Sequence, residues 1–147
     1  MNFFNILDIS SSALKAERER AEVAASNLAN AETSHTAEGG PYRRQLVVFG
    51  PQRIGQASFA DSLDRVSEMH ARGVQVERVV DDSAPPIRRS EPGNPYADAQ
   101  GYVYYPNINP VQEMADLMSA SRSYQLNVSA VQTTKAMIQE SFQILLG

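Results

Sequence analysis

The sequence predicts a mainly α chain with a small β insert. Long N- and C-terminal helices would pack as a coiled-coil-like pair, with a β-rich insert between them. Three observations predict it. Residues 110–146 carry a heptad-spaced apolar series with no Gly or Pro after Pro110. Residues 3–31 carry a second seven-residue repeat, Leu7, Leu14, Ala21 and Leu28. The stretch between them holds most of the chain's prolines and glycines and several short β-prone runs. The expected division is an N-terminal helix of the helical core over 1–34, a β-rich and loop insert over 35–105, and the long C-terminal helix of the core over 106–147.

The N-terminal helix begins its stripe at Phe4 and Ile6, and Ala24, Ala25 and Ala31 widen it. Its C-terminal half is rich in small residues, so another helix can approach closely there. Between Lys15 and Glu22 the charges alternate in sign. Glu17 and Arg20, Arg18 and Glu22, and Lys15 and Glu19 sit three or four apart, the reading of a solvated helix face.

Ser26-Asn27-Leu28-Ala29-Asn30-Ala31-Glu32-Thr33 follows. Asn forms helix poorly and tolerates the left-handed conformation, so two Asn here read either as a frayed helix end or as amides that bind the backbone of a neighbouring segment or subunit.

In the insert, Gly39-Gly40-Pro41 is a turn and Tyr42 to Phe49 a strand with Leu46-Val47-Val48-Phe49 at its core. Gly50-Pro51 is expected to end it. Residues 51–72 read as a loop. Val74 to Val80 reads as a second strand stopped by Asp81-Asp82, residues 84–96 as an extended loop, and Gly101 to Tyr105 as a last short strand.

The C-terminal helix is marked by Asn109 as N-cap, Pro110 at N1 and Gln112 at N3. Leu117, Tyr124, Val131, Ile138 and Leu145 form one seam register. Met114, Ser121, Val128, Lys135 and Phe142 form the other, and only Ser121 and Lys135 of the ten are polar. A helix this long with one apolar stripe needs a partner along most of its length.

Composition narrows the function. A net charge of −4 is too small to point to nucleic acid, and the absence of Cys excludes thiol chemistry, disulfides and thiolate metal sites. Residues 1–9 carry Asp8, lack a positive n-region and precede no small-residue cleavage site, so any export is expected to leave the N-terminus intact. His35 and His70 lack metal-ligand spacing. Asp81-Asp82 reads as a solvated turn, and Tyr102, Tyr104 and Tyr105 as packing aromatics. No phosphate loop, nucleophile elbow or zinc motif appears. The expectation is no catalysis, no cofactor, no metal and no small-molecule substrate.

The run Ser26-Asn27-Leu28-Ala29-Asn30 with Thr33 resembles the N-terminal motif of bacterial flagellar rod and hook proteins. Gly39-Gly40-Pro41-Tyr42-Arg43-Arg44 with Val47-Val48-Phe49, and Gly73-Val74-Gln75-Val76, resemble one branch of that family. So does Pro92-Gly93-Asn94-Pro95 with Ala97-Asp98 and Gly101-Tyr102-Val103. Tyr105-Pro106-Asn107-Ile108-Asn109, Glu113-Met114, Ser121-Arg122-Ser123-Tyr124-Gln125 and Asn127 resemble its C-terminal motif. Asn94 departs from a frequent His and Pro110 from a common aliphatic residue. The set covers nearly the whole chain outside 51–72.

The resemblance implies a structural subunit of the flagellar basal-body rod. Members are exported from the cytoplasm through the flagellar type III apparatus without signal cleavage. They polymerise in the periplasm with copies of themselves and other rod proteins, between the membrane-embedded base and the distal rod. Their terminal helices form the wall of a hollow shaft that transmits torque towards the hook. It also implies that Asn27 and Asn30 make packing contacts. A cytosolic helical-hairpin adaptor or export chaperone would explain the helical stripes, but neither the insert nor the Asn motif.

Overall fold

The computed structural model describes residues 3–53 and 72–146. Residues 54–71, which include His70 and most of the predicted 51–72 loop, lie outside the described residues, whereas 51–53 and 72 are strand. Two helices flank four strands: α1 Phe3–Ala29, β1 Gln45–Arg53, β2 Arg72–Asp81, β3 Ile87–Ser90, β4 Tyr102–Tyr105 and α2 Pro110–Leu146. The architecture is therefore two long terminal helices with a small β insert between them, as the sequence predicts, but the insert is two separate two-stranded sheets.

The helices pack side by side. They run antiparallel, because the C-terminal end of α1 meets the N-terminal end of α2 at Asn27 and Glu113, and Arg20 meets Asp116 further back. At about 1.5 Å per residue α1 is roughly 40 Å long and α2 roughly 55 Å. Counting back from Asn27 to Phe3, and equally far forward from Glu113, reaches Met137. The last turns of α2 thus run beyond α1, and residues 139–144 are exposed accordingly. Buried Ala16 and Ala24 on α1 and Ala120 on α2 keep the interface small-sided, so the backbones approach closely.

α2 starts where expected. The Val111 N–H donates to Asn109 Oδ1 at 3.1 Å, satisfying one of the orphan donors of the first turn. Gln112 makes no return bond, so the cap is one-sided. α1 ends at Ala29 by a different device from the one expected. No residue other than Gly takes a positive φ among the described residues. Instead the Asn30 Nδ2 donates to the Ser26 carbonyl at 2.9 Å, and Thr33 Oγ1 donates to Asn30 Oδ1 at 3.2 Å. The Ser26 carbonyl thus accepts both the Asn30 N–H, at 3.1 Å, and its side-chain amide, which ties Asn30 to the last turn.

β1 and β2 form an antiparallel ribbon. The strand runs through Gly50-Pro51 to Arg53 rather than stopping there. Pro51 lies opposite Val74, whose N–H points out of the ribbon to Ser12 Oγ at 3.1 Å. Pro51 therefore also faces outward, at a position where its missing N–H breaks no ladder bond. A bulge between Val48 and Phe49 leaves Glu77 extra on β2. The ribbon packs on α1.

β3, within the stretch expected to be loop, pairs with β4 in a separate antiparallel ribbon. Its Arg-rich, Pro-flanked sequence hides it, and the Arg88 and Arg89 guanidiniums lie 4.7 and 4.6 Å over the Tyr102 and Tyr105 rings. The loop joining them closes on Asp98, whose Oδ1 accepts the Gln100 and Tyr102 N–H groups at 2.9 Å each. Those bonds, the Tyr102 one foremost, hold the Asp98 carboxyl below the usual carboxylate range. Gly101 supplies the required φ of +80°. Tyr105 donates its hydroxyl to Glu91, and that bond raises the phenol above its ordinary range. This ribbon packs on neither helix. His35 stacks on Tyr96 with ring centres 4.7 Å apart.

Candidate functional site

α2 packs on neither β ribbon through its backbone. The insert is tied to it by side chains gathered around Asn27, which is only 1% exposed. Asn27 Nδ2 donates to the Gln45 carbonyl at 2.8 Å and to Glu113 Oε2 at 3.0 Å. Its Oδ1 accepts the Gln45 N–H at 2.8 Å and the Tyr42 hydroxyl at 3.2 Å. Both donors and both acceptor sites of the amide are filled. Gln45 begins β1 with its polar backbone groups turned away from β2, and Asn27 closes that edge as a neighbouring strand would.

Glu113 is 2% exposed. Arg44 Nε donates to its Oε1 at 2.6 Å, so the buried carboxylate has a cation and two hydrogen bonds. Arg44 Nη1 lies 3.7 Å from Asp82 and Nη2 3.9 Å from Asp116. Arg20 Nη2 donates to Asp116 Oδ1 at 3.1 Å, and Glu17 lies 3.7 Å behind it. The chain of charges runs from α1 across the start of α2 to Arg44 and Asp82, which face each other at one end of the β1–β2 ribbon. It corrects the reading of the α1 charge run as wholly solvated. Arg18 and Glu22 do pair in solvent at 3.2 Å, whereas Glu17 and Arg20 turn towards α2.

Chemically this is a fastening, not a reaction centre. Its carboxylates are set against Arg20 and Arg44, Glu17 Oε2 lacks a hydrogen bond, and among the described residues of this cluster no nucleophile stands beside a free base. Among the described residues no group of His, Asp and Glu is placed to hold a metal ion.

The motif residues divide into two roles. Asn27 joins the helices to the insert, and Asn30 caps α1, with Ser26 and Thr33 bonded around them. Leu28 is half-buried and Ala29 exposed. Arg44, Gln45 and Glu113 escape notice in the sequence as partners of Asn27. The signal that could have found Glu113 is a carboxylate on the inner face of an otherwise weakly charged helix.

Of the expected seam, Leu7, Leu14, Ala21 and Leu28 on α1 are half-buried, as are Leu117, Val128, Val131 and Ile138 on α2. Met114, Ser121, Tyr124, Lys135 and Phe142 are exposed in the single chain. The Leu145 side chain is outside the described residues. The positions that sink deepest on α2 are Glu113, Ala120 and Thr134, with Asn127 half-buried on the same register. This register lies one residue before the expected one. It was hidden because its members are polar or small. Asn127 Nδ2 and Thr134 Oγ1 each donate to the carbonyl four residues back, at 2.9 Å, which makes their burial tolerable.

Two family models match the chain. "Flagella basal body rod protein" matches residues 7–34, the α1 segment with the Asn motif. "Flagellar basal body rod FlgEFG protein C-terminal" matches residues 99–144. The flagellar basal-body rod protein FlgC of Salmonella typhimurium is 42% identical over 144 residues, covering 98% of each chain. The chain belongs to the FlgC family. FlgC of Bacillus subtilis is 37% identical over 148 residues, covering 98% of this chain and 99% of its own. FlgC of Borreliella burgdorferi is 35% identical over 153 residues and covers both chains fully. Similarity along the whole chain makes this a structural protein of the flagellar basal-body rod and not an enzyme. The adaptor or chaperone reading is not favoured.

Proposed function

We propose that this FlgC-family chain polymerises through its terminal helices into the wall of a hollow rod, which carries torque from the motor towards the hook and lets exported proteins pass through its lumen. Copies of itself and other rod proteins are its neighbours, with the base or its ring adaptor on one side and the distal rod on the other. It reaches the periplasm through the flagellar type III export apparatus with its N-terminus uncut. Within this reading 1–34 and 106–147 form the helical core and 35–105 the insert.

The observation that carries the proposal is the outer side of α2. Val111 is 74% exposed, Met118 66%, Leu126 66% and Ile144 81%. At about 100° per residue these four fall within roughly 80° of one another, on the side turned from α1. Arg122 and Glu140 share this sector, so its apolar side chains form patches around two charges; exposed apolar patches are a cost in water and a gain against other helices. Tyr124 and Lys135 flank the α1 interface and Phe142 lies on the stretch of α2 beyond α1, where all three are placed to meet a neighbour's helices in a coiled-coil-like arrangement. The seam is then a shared surface, closed by the chain's own α1 on one side and by other subunits on the other.

Basal bodies purified from cells that express the tagged chain test this reading. Co-purification with the rod and an intact N-terminal mass are expected. An exclusively cytosolic pool would refute it.

A further inference from the structure

The two ribbons leave complementary half-edges. Asp82 and Arg44 are a hydrogen-bonded pair of the β1–β2 ladder, since the Asp82 N–H reaches the Arg44 carbonyl at 2.7 Å. Pairs alternate along an antiparallel ladder, so Val79 and Asp81 turn their backbone groups outward. The opposite end of that edge is already closed, because Val74 bonds Ser12 of α1. In the second ribbon Glu91 and Gly101 are a bonded pair, the Glu91 N–H reaching the Gly101 carbonyl at 2.9 Å. Arg88 and Ser90 of β3 therefore turn outward by the same alternation.

The two half-edges match in spacing and in charge. Each offers a pair of open positions two residues apart. Set antiparallel, Asp81 falls opposite Arg88 and Val79 opposite Ser90, with four main-chain hydrogen bonds available. Neither Asp81 nor Arg88 forms a close ion pair among the described residues, and all four positions are solvent-facing, Arg88 lying over the Tyr102 ring and near enough to Asp98 to help lower its carboxyl. β2 and β3 of one chain make no contact, so the match is not used within the chain. A two-stranded ribbon that packs on no helix, such as β3–β4, is also one that gains most from a third strand.

We propose that the Val79–Asp81 edge of one copy adds to the Arg88–Ser90 edge of the next, by strand addition between the inserts of neighbouring subunits. The contact is heterologous: each copy offers one edge of each kind, and such contacts build open series rather than closed pairs. This rests on the polymerising-subunit reading and adds to it an outer layer of contacts.

The chain contains no Cys, so disulfides report contacts cleanly. An Asp81→Cys copy with one tag and an Arg88→Cys copy with another are expressed together, and assembled basal bodies are oxidised. Directly opposite residues of a bonded antiparallel pair lie about 5.5 Å apart, within disulfide reach. The expected result is a dimer carrying both tags, well in excess of same-tag dimers. In a second arm, Asp81→Arg reduces incorporation and adding Arg88→Asp restores it. Basal bodies that contain both Cys copies without the mixed dimer, or charge reversals without effect, overturn strand addition and leave the rod reading standing. Such a result means that the edge charges only guard against aggregation. Absence of the unsubstituted chain from basal bodies overturns the rod reading, and this proposal with it.

Discussion

The side chain of Asn27 pairs with the backbone of Gln45 as a strand would, donating to its carbonyl and accepting its N–H, both at 2.8 Å. One amide at the end of α1 thereby fixes where the insert begins. Asn27→Ala leaves the Gln45 groups and Glu113 short of partners in a buried place, and is expected to cost about 2–4 kcal/mol. Asn27→Asp keeps the shape but removes both donors and sets a second carboxylate against Glu113. It should be at least as damaging. Urea unfolding of the purified chain measures both, and an Asn27→Ala loss within 0.5 kcal/mol of zero, as for an ordinary surface change, would contradict the role.

Arg44 is the cation that holds the buried Glu113 carboxylate. Arg44→Met strands that charge and is expected to cost about 3–5 kcal/mol. Adding Glu113→Leu removes the stranded charge and should recover much of the loss. The same unfolding experiment on the single and double variants gives the coupling. Additive losses would show that the two side chains act independently.

The β3–β4 loop should respond to pH at both ends. The Asp98 carboxyl is held below its ordinary range, so its contribution is complete above the unfolded value of about 3.9 and is lost as pH falls through the lower folded value. The Tyr105 hydroxyl is raised, so its contribution is complete below about 10 and is lost as pH rises through the higher folded value. Titration followed by NMR at each side chain checks this. Ordinary values for either group would contradict the bonds to Tyr102 and Glu91.

Gly101 combines a φ of +80° with a Cβ position 3.3 Å from the Pro92 side chain. Gly101→Ala is therefore expected to destabilise the loop by about 1–3 kcal/mol. Hydrogen exchange should show the opening as faster exchange confined to β3, β4 and the residues between them. Unchanged protection there would contradict the strain.

The two helices were legible because a seven-residue repeat survives in the sequence, and Asn109-Pro110 states where α2 starts. The inner register of α2 was not, since Glu113, Asn127 and Thr134 look like outward residues until their hydrogen-bond partners are known. β3 was hidden because Arg88 and Arg89 suggest a solvated loop, whereas their guanidiniums lie over tyrosine rings that only the fold brings alongside. Asn27 and Asn30 were legible as special but not as different. A sequence cannot separate an amide that caps its own helix from one that reaches a strand eighteen residues away.

The outer side of α2 is the most direct place to test assembly. Met118→Asp and Leu126→Asp put charges on positions that are each 66% exposed in the single chain, so circular dichroism and the unfolding midpoint should stay unchanged. In cells lacking the native copy, both variants are predicted to abolish swimming and to leave basal bodies without a complete rod. Normal swimming with intact rods in both would contradict the claim that this face is where subunits join.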